Sequence, residues 1–345
     1  MSRIIVKNAT SGKELLWRHI KIKKSLDNIC HTLELEIPAS EPAKVHKHEK
    51  IEVRYENPLV KDSGGKRRVT TVMVDEITAN SDPAKHSLMV IGRSPARDII
   101  DSTWSGMLSN MTLYEIAKNI CDKFGIVCTN IPTNRGDPTE QVMMFSWENE
   151  SPWTKLVTEA DSQEADGQGF MITSNEAGGL YIWQTAGAVR QEGFHLTEGR
   201  NIKTIEWKEN GAEQYHEYVI TGGYGDPVSV IDSTCNNKRI LTINLTNPIV
   251  EVSKLQRRAQ TEMRRRRETR TTVTVSSWGL TDTQIKNLGA VTNKKEIFWV
   301  PNLLIPVRVP SLGLSANLLI AEVEQEATPE TMSSTISLVN REAYL

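Results

Sequence analysis

Between Val252 and Ser277 the chain changes its hydrophobic period abruptly, and that change limits what can surround it. In the run VSKLQRRAQTEMRRRRETR, Val252, Leu255, Ala259 and Met263 fall three and four residues apart, the spacing of one side of a helix. Around that stripe stand Lys254, Arg257, Arg258, Arg264, Arg265, Arg266, Arg267 and Arg270, against only Glu262 and Glu268. After Arg270 the period becomes two, with Val273 and Val275 alternating against Thr272, Thr274 and Ser276. The pattern predicts a basic helix over 252–269 that feeds directly into a β domain. This is a structural device, and no catalytic constellation lies in it.

The rest of the chain divides around β structure. Over 1–95, alternating Ile20 and Ile22, Leu33, Leu35 and Ile37, and Ile51, Val53 and Tyr55 read as short strands with turn signals between them, the pattern of a small barrel or sandwich. Asp62–Lys66 reads as one of those turns. Over 96–190 the character changes. Thr112 with Glu115 forms a capping-box pattern ahead of Leu113, Ile116, Ala117, Ile120 and Cys121. Pro152 sits where a first helical residue is expected, and Phe170–Ile172 and Leu180–Trp183 flank a turn. From 191 to 345 strands return around the basic helix, with Gly222–Pro227 as a turn. The expected class is therefore α+β and β-rich: two β-barrel-like domains, 1–95 and 191–345, flanking an inserted α+β domain at 96–190. A strand, a polar loop and a strand ending in Arg recur at 69–93 and 318–341, which hints at a duplication.

Composition narrows the function. A chain of 345 residues with net charge −2 carries its arginine cluster as a local feature, unlike a general nucleic-acid binder. Cys30, Cys121, Cys128 and Cys235 are scattered and fit reduced, buried thiols. The N-terminus lacks a secretory signal pattern, and no run approaches about 18 apolar residues. Stable membrane insertion is not expected.

Chemical motifs fail one after another. His46-Lys47-His48 with Glu49, and Cys121 with Cys128, lack metal-ligand spacing. Gly64-Gly65-Lys66-Arg67 has Val60 where a phosphate loop needs Gly, and Arg67 where it needs Ser or Thr. No G-x-S-x-G elbow exists, and Asp98, Asp101, Asp161, Glu164 and Asp166 are of a type too common in loops and helix starts to mark an acid–base pair. No cofactor is implied. The arginines surround the helical stripe and have no aromatic residues interleaved, so pairing with carboxylates across an intra- or intermolecular interface is preferred over direct nucleic-acid contact. Large, polar, β-rich and without an active site, the chain reads as an assembly component.

Five stretches together resemble the baseplate hub (43 kDa tail protein) of Mu-like contractile-tailed phages, in the late-control D superfamily. They are IKIKKSLDNICHTLELEIP at 20–38, VMVDEITANSDPAKHSLMVIGRSPARDIIDSTW at 72–104, MTLYEIAKNICDKFGI at 111–126, SPWTKLVTEADSQEADGQGFMITSNEAGGLYIW at 151–183, and IFWVPNLLIPVRVPSLGLSANLLIAEVEQE at 297–326. The most specific part is G-R-S-x-x-x-D-x-x-D, here Gly92, Arg93, Ser94, Asp98 and Asp101. The resemblance implies a structural homotrimer in the virion tail baseplate, assembled in the bacterial host cytoplasm. Its two similar β domains per subunit would form a pseudo-six-fold ring. That ring would join a trimeric spike protein to the tail tube or a tube initiator, contact other baseplate proteins, and surround a channel that DNA crosses transiently. Arg257, Arg258, Arg264, Arg265, Arg266, Arg267 and Arg270 become interface or channel candidates, with subunit contacts favoured. The nearest alternative is a hub in a type VI-like secretion device; an end at Leu345 with no fused spike favours the phage form. From another class, a tail-borne cell-wall hydrolase would need an acidic pair such as Glu115 or Glu148 in the inserted unit.

Overall fold

A computed structural model of the chain describes residues 3–38, 45–56, 66–81, 86–130, 141–165, 168–185, 195–222, 226–245, 252–281 and 296–345. Of the turn expected at 62–66 only residue 66 is described, and of the one expected at 222–227 residues 223–225 lie outside the described residues, as does Asp166. The first seven strands are β1 (Arg3–Asn8), β2 (Glu14–Leu15), β3 (His19–Ser25), β4 (Thr32–Pro38), β5 (Lys50–Glu56), β6 (Lys66–Ser81) and β7 (His86–Arg93). Their inward residues, among them Ile20, Ile22, Leu33, Leu35, Ile51, Val53, Val72, Val74 and Val90, meet in one core. Seven strands in a row can share one core only if the sheet curls around it. Each fully buried Ile or Leu adds about 1.5–3 kcal/mol to that curl.

The β-rich α+β class holds, but the two barrel-like units are not closed among the described residues. Their strands run through one 13-stranded sheet in the order Thr204–Lys208, Arg270–Val275, Met332–Val339, Leu314–Ala327, β3, β4, β7, β6, β5, β1, β2, with Leu196–Thr197 and Leu304–Val309 off this path. The reason is the Leu314–Ala327 strand. It pairs with Met332–Val339 on one edge and with β3 on the other, so each half lends the other an edge strand instead of closing on itself. Across this seam Lys21 pairs with Glu324 and Lys23 with Glu322, each at 3.0 Å, and His19 with Glu326 at 2.7 Å. Both halves carry a bulged hairpin. The register shifts at Asp75 between β6 and β7, and at Ala321 between Leu314–Ala327 and Met332–Val339.

Between the halves lie three helices, α1 (Arg97–Asp101), α2 (Leu113–Asp122) and α3 (Trp153–Ser162). They pack with the Gln168–Ser174 and Leu180–Gln184 hairpin around a separate core. The capping box forms as the sequence requires: Thr112 Oγ1 accepts from Glu115 N, and Glu115 Oε2 accepts from Thr112 N. Pro152 serves as the cap of α3 and not as its first helical residue, so the helix starts one residue later than expected. The four cysteines are free and buried.

The basic helix, α4 (Val252–Arg267), ends two residues before the expected boundary. Glu268 has turned away there to accept a hydrogen bond from Asn340 N at 2.6 Å. Leu255 and Ala259 are buried against Tyr218 and Ile220 of a small sheet formed by Glu217–Thr221, Val228–Ile231 and Ile240–Asn244. Val252, read as part of that stripe, is 61% exposed at the helix start. No helix among the described residues is long and apolar enough to cross a membrane.

Candidate functional site

The residues singled out in the sequence gather at two places, and both are joints. The first is α4. Lys254, Arg258 and Arg265 lie four and seven residues apart, which puts them on the face opposite α3. The last turn of α3 offers Glu159 and Asp161, both buried. Carboxylates at a helix C-terminus oppose the helix dipole, so α3 needs external cations there. Arg265 supplies them: Nη2 and Nη1 donate to the two oxygens of Asp161 at 2.7 and 3.0 Å, while the guanidinium lies 5.3 Å from the Tyr344 ring centre. Arg258 lies 3.7 Å from Asp161 and donates to Glu262 at 2.9 Å, and Lys254 reaches Glu159 at 3.8 Å.

The remaining guanidiniums are also engaged within the chain. Arg257 donates to Ser162 O at 3.3 Å and Arg264 to Leu345 O at 2.8 Å. Arg266 donates to Glu262 at 2.5 Å and stacks over Tyr215. Burial pushes the Glu262 carboxyl up, yet Arg258 and Arg266 together hold it below its ordinary value. Arg267 lies 3.9 Å from Asp232, and Arg270 donates to Asp27 at 3.0 Å; these two side chains are each 49% exposed. Asp27 also accepts from the Tyr344 hydroxyl at 2.6 Å. The helix is thus clamped between α3, the small sheet and the last residues of the chain. Only Arg267 and Arg270 keep about half of their surface for anything else.

The second joint is the G-R-S stretch at the end of β7. A Cβ on Gly92 would stand 2.7 Å from Met73 O, so only glycine lets β7 lie this close to β6. The bulge at Asp75 turns its carboxylate toward Arg93, whose Nε donates to it at 2.8 Å. Arg93 also grips Asp101 through both terminal nitrogens, at 2.6 and 3.2 Å, and these bonds hold the Asp101 carboxyl below its usual range. Arg97, buried, shares Asp75 and lies 3.4 Å from Asp98. Ser94 Oγ meets Ser174 Oγ at 2.7 Å, which ties β7 to the inserted hairpin. The motif is a clasp between the first half of the sheet and the inserted unit.

Chemistry finds no foothold in these groups. Glu115, a candidate acid, is fixed in its capping box, and Thr112 holds its carboxyl below the ordinary value, opposite to what a general acid needs. Glu148 is exposed, and Asp98, Asp101 and Asp161 are taken by arginines. Among the described residues no group of three or more His, Cys, Asp or Glu is disposed to hold a metal ion. Asp75, Asp27, Tyr344 and Glu159 escaped the sequence reading. The one signal available was a pair of acids in the last turn of α3, a place where an isolated helix would avoid them.

No family model matches the chain. A curated relative does: the baseplate hub protein gp44 of Escherichia phage Mu is 22% identical over 95% of this chain and 86% of its own length. Among solved structures, the 43 kDa tail protein of prophage MuSo2 from Shewanella oneidensis superposes with a TM-score of 0.78 at 23% identity, over 99% of both chains. A component of the type VI secretion system from E. coli superposes less closely, with a TM-score of 0.55 at 9% identity over 97% of this chain and 76% of its own. The resemblance to a Mu-like baseplate hub therefore holds in sequence and in fold. The two closer matches are a baseplate hub protein and a tail protein by name, structural parts of a phage tail.

Proposed function

We propose that this chain is the structural baseplate hub of a Mu-like contractile tail, with three copies closing a ring that joins the central spike to the tail tube. One observation carries the reading: likeness to the Mu hub over 95% of the chain and 86% of the hub's own length. The domain division 1–95, 96–190 and 191–345 belongs to the same proposal. It is supported by the separate cores around β1–β7, around α2 and α3, and around Val273, Ile305 and Ile336. The bulged hairpin in each half supports a duplication, and two similar halves in each of three subunits would present six similar faces to a six-fold tube.

The ring would surround the channel that DNA crosses. Most of the arginine run serves inside the subunit on this reading, and Arg267 and Arg270 are its contributors to a subunit interface or to the channel wall. The spike, the tube and other baseplate proteins are the expected partners, and assembly takes place in the host cytoplasm. A hub role in a type VI-like device is the second reading, supported by the weaker fold match to the E. coli component. Light scattering after size exclusion tests the ring. A mass near three times 38.7 kDa is expected. A monomer that stays monomeric when mixed with its spike protein would overturn it.

A further inference from the structure

The third inward position of β3 holds a cation where the two before it hold isoleucines. Ile20 and Ile22 are fully buried, and Lys24, in phase with them, is 3% exposed. Its neighbours Lys21 and Lys23 point the other way and find glutamates, but Lys24 has no hydrogen bond or ion pair among the described residues. It borders a cavity of about 90 Å³ with Ser25, His31, Thr173, Glu176, Tyr181 and Trp183. Thr173, Tyr181 and Trp183 share one face of the inserted hairpin, since Thr173 is paired with Tyr181 and Trp183 stands two residues on. Thr173 Oγ1 and Trp183 Nε1 are buried and unpartnered.

The charges around this space do not balance. Burial and the nearby Lys24 keep His31 well below its ordinary pKa, so its ring is neutral. Glu176 is the one carboxylate lining the cavity, and it sits 3.8 Å from Arg67, which leaves Lys24 as a net positive charge. A buried ammonium needs a counter-charge or is pressed to give up its proton, and buried donors need acceptors. That space exceeds the roughly 10–15 Å³ that one water needs, which leaves room for one anion of a few heavy atoms.

We propose that this cavity binds one small oxyanion of the phosphate, sulfate or carboxylate class, held by the Lys24 ammonium, the Thr173 hydroxyl and the Trp183 indole N–H. Lys24 belongs to the first half of the sheet, Thr173 and Trp183 to the inserted hairpin, and Val300 and Pro301 on the cavity wall to the second half. The anion therefore ties three parts of the chain at one point.

Isothermal titration and thermal unfolding of the full chain test the site with inorganic phosphate, sulfate and acetate, each compared with chloride at equal ionic strength. Saturable one-to-one binding of at least one of them is expected, with a melting temperature that climbs with ligand concentration. Lys24→Met should abolish the effect, and Thr173→Val and Trp183→Phe should each weaken binding at least threefold. Preference among the three ligands separates a tetrahedral from a planar occupant. The proposal is overturned if none shifts the melting temperature beyond the chloride control, or if Lys24→Met binds as before. Should Lys24→Met fail to fold, unchanged affinity in both remaining variants overturns it equally.

Discussion

Replacing Asp161 with alanine strikes the point where α4 is held to α3. The side chain is 4% exposed and receives two hydrogen bonds from Arg265, of 2.7 and 3.0 Å. Its loss strands Arg265 and removes the second carboxylate, 3.7 Å away, that faces Arg258. Removing one partner of a buried pair costs about 3–5 kcal/mol, because the other charge is left uncompensated. Arg265 is 28% exposed and rests on the Tyr344 ring, so water and the ring recover part of that cost. The lower end applies, about 3 kcal/mol. Changing Arg265→Met in the same background removes the stranded cation and should restore at least ~2 kcal/mol, since an apolar side chain of similar length is tolerated where a lone charge is not. The assay is urea unfolding followed by tryptophan fluorescence, with Trp153, which lines the same cavity as Asp161 and Arg265, as the local reporter. Additivity of the two changes within about 0.5 kcal/mol would show that the residues do not depend on each other. In that case the docking of α4 has another cause and the reasoning fails.

Gly92→Ala should cost about 1–3 kcal/mol, as overpacking does, because the new methyl group meets a backbone oxygen at 2.7 Å that cannot rotate away; an unchanged melting temperature would refute it. Lys24 gives stability a pH dependence. Burial lowers its ammonium to about 8, Glu176 opposing and Arg67 assisting, with His31 neutral nearby. The unfolded value is about 10.4. Between these values the unfolded chain binds more protons, so stability increases with pH; the contribution is complete above the unfolded value and is lost as pH falls through about 8. In buffer free of oxyanions the full span is about 3 kcal/mol. The unfolding free energy of the native chain should rise relative to Lys24→Met across that window, and parallel curves would refute the assignment.

What the sequence showed depended on distance along the chain. The capping box of Thr112 and Glu115 spans three residues, and the alternation in β3 or β4 spans seven, so both were legible in the local pattern. The stripe on α4 was legible in Leu255 and Ala259 but failed at Val252, where periodicity continued past the surface it packs on. The partner of Arg265 was not legible, because Asp161 lies 104 residues earlier and nothing in an acidic residue reveals which cation it will meet. The same holds for Asp75 and Arg93, joined by a bulge that periodicity cannot show. Lys24 was readable in principle. The period-two pattern of β3 puts it in line with Ile20 and Ile22, and a charge on an inward face is a conflict that marks a site. Lysine beside other lysines hid it.

The seam between β3 and the Leu314–Ala327 strand imposes an order on biosynthesis. β3 leaves the ribosome before its partner, which follows roughly 300 residues later, at ~5–20 residues per second about 15–60 s. Throughout that interval the nascent chain carries an open strand edge, the surface on which other nascent chains could pair. Lys21 and Lys23 stand on that edge, and neighbouring copies on the same message present the same positive charges, which repel. Glu322, Glu324 and Glu326 arrive later and fit it. The charge ladder that joins the finished halves is also what keeps the unfinished half waiting for its own chain.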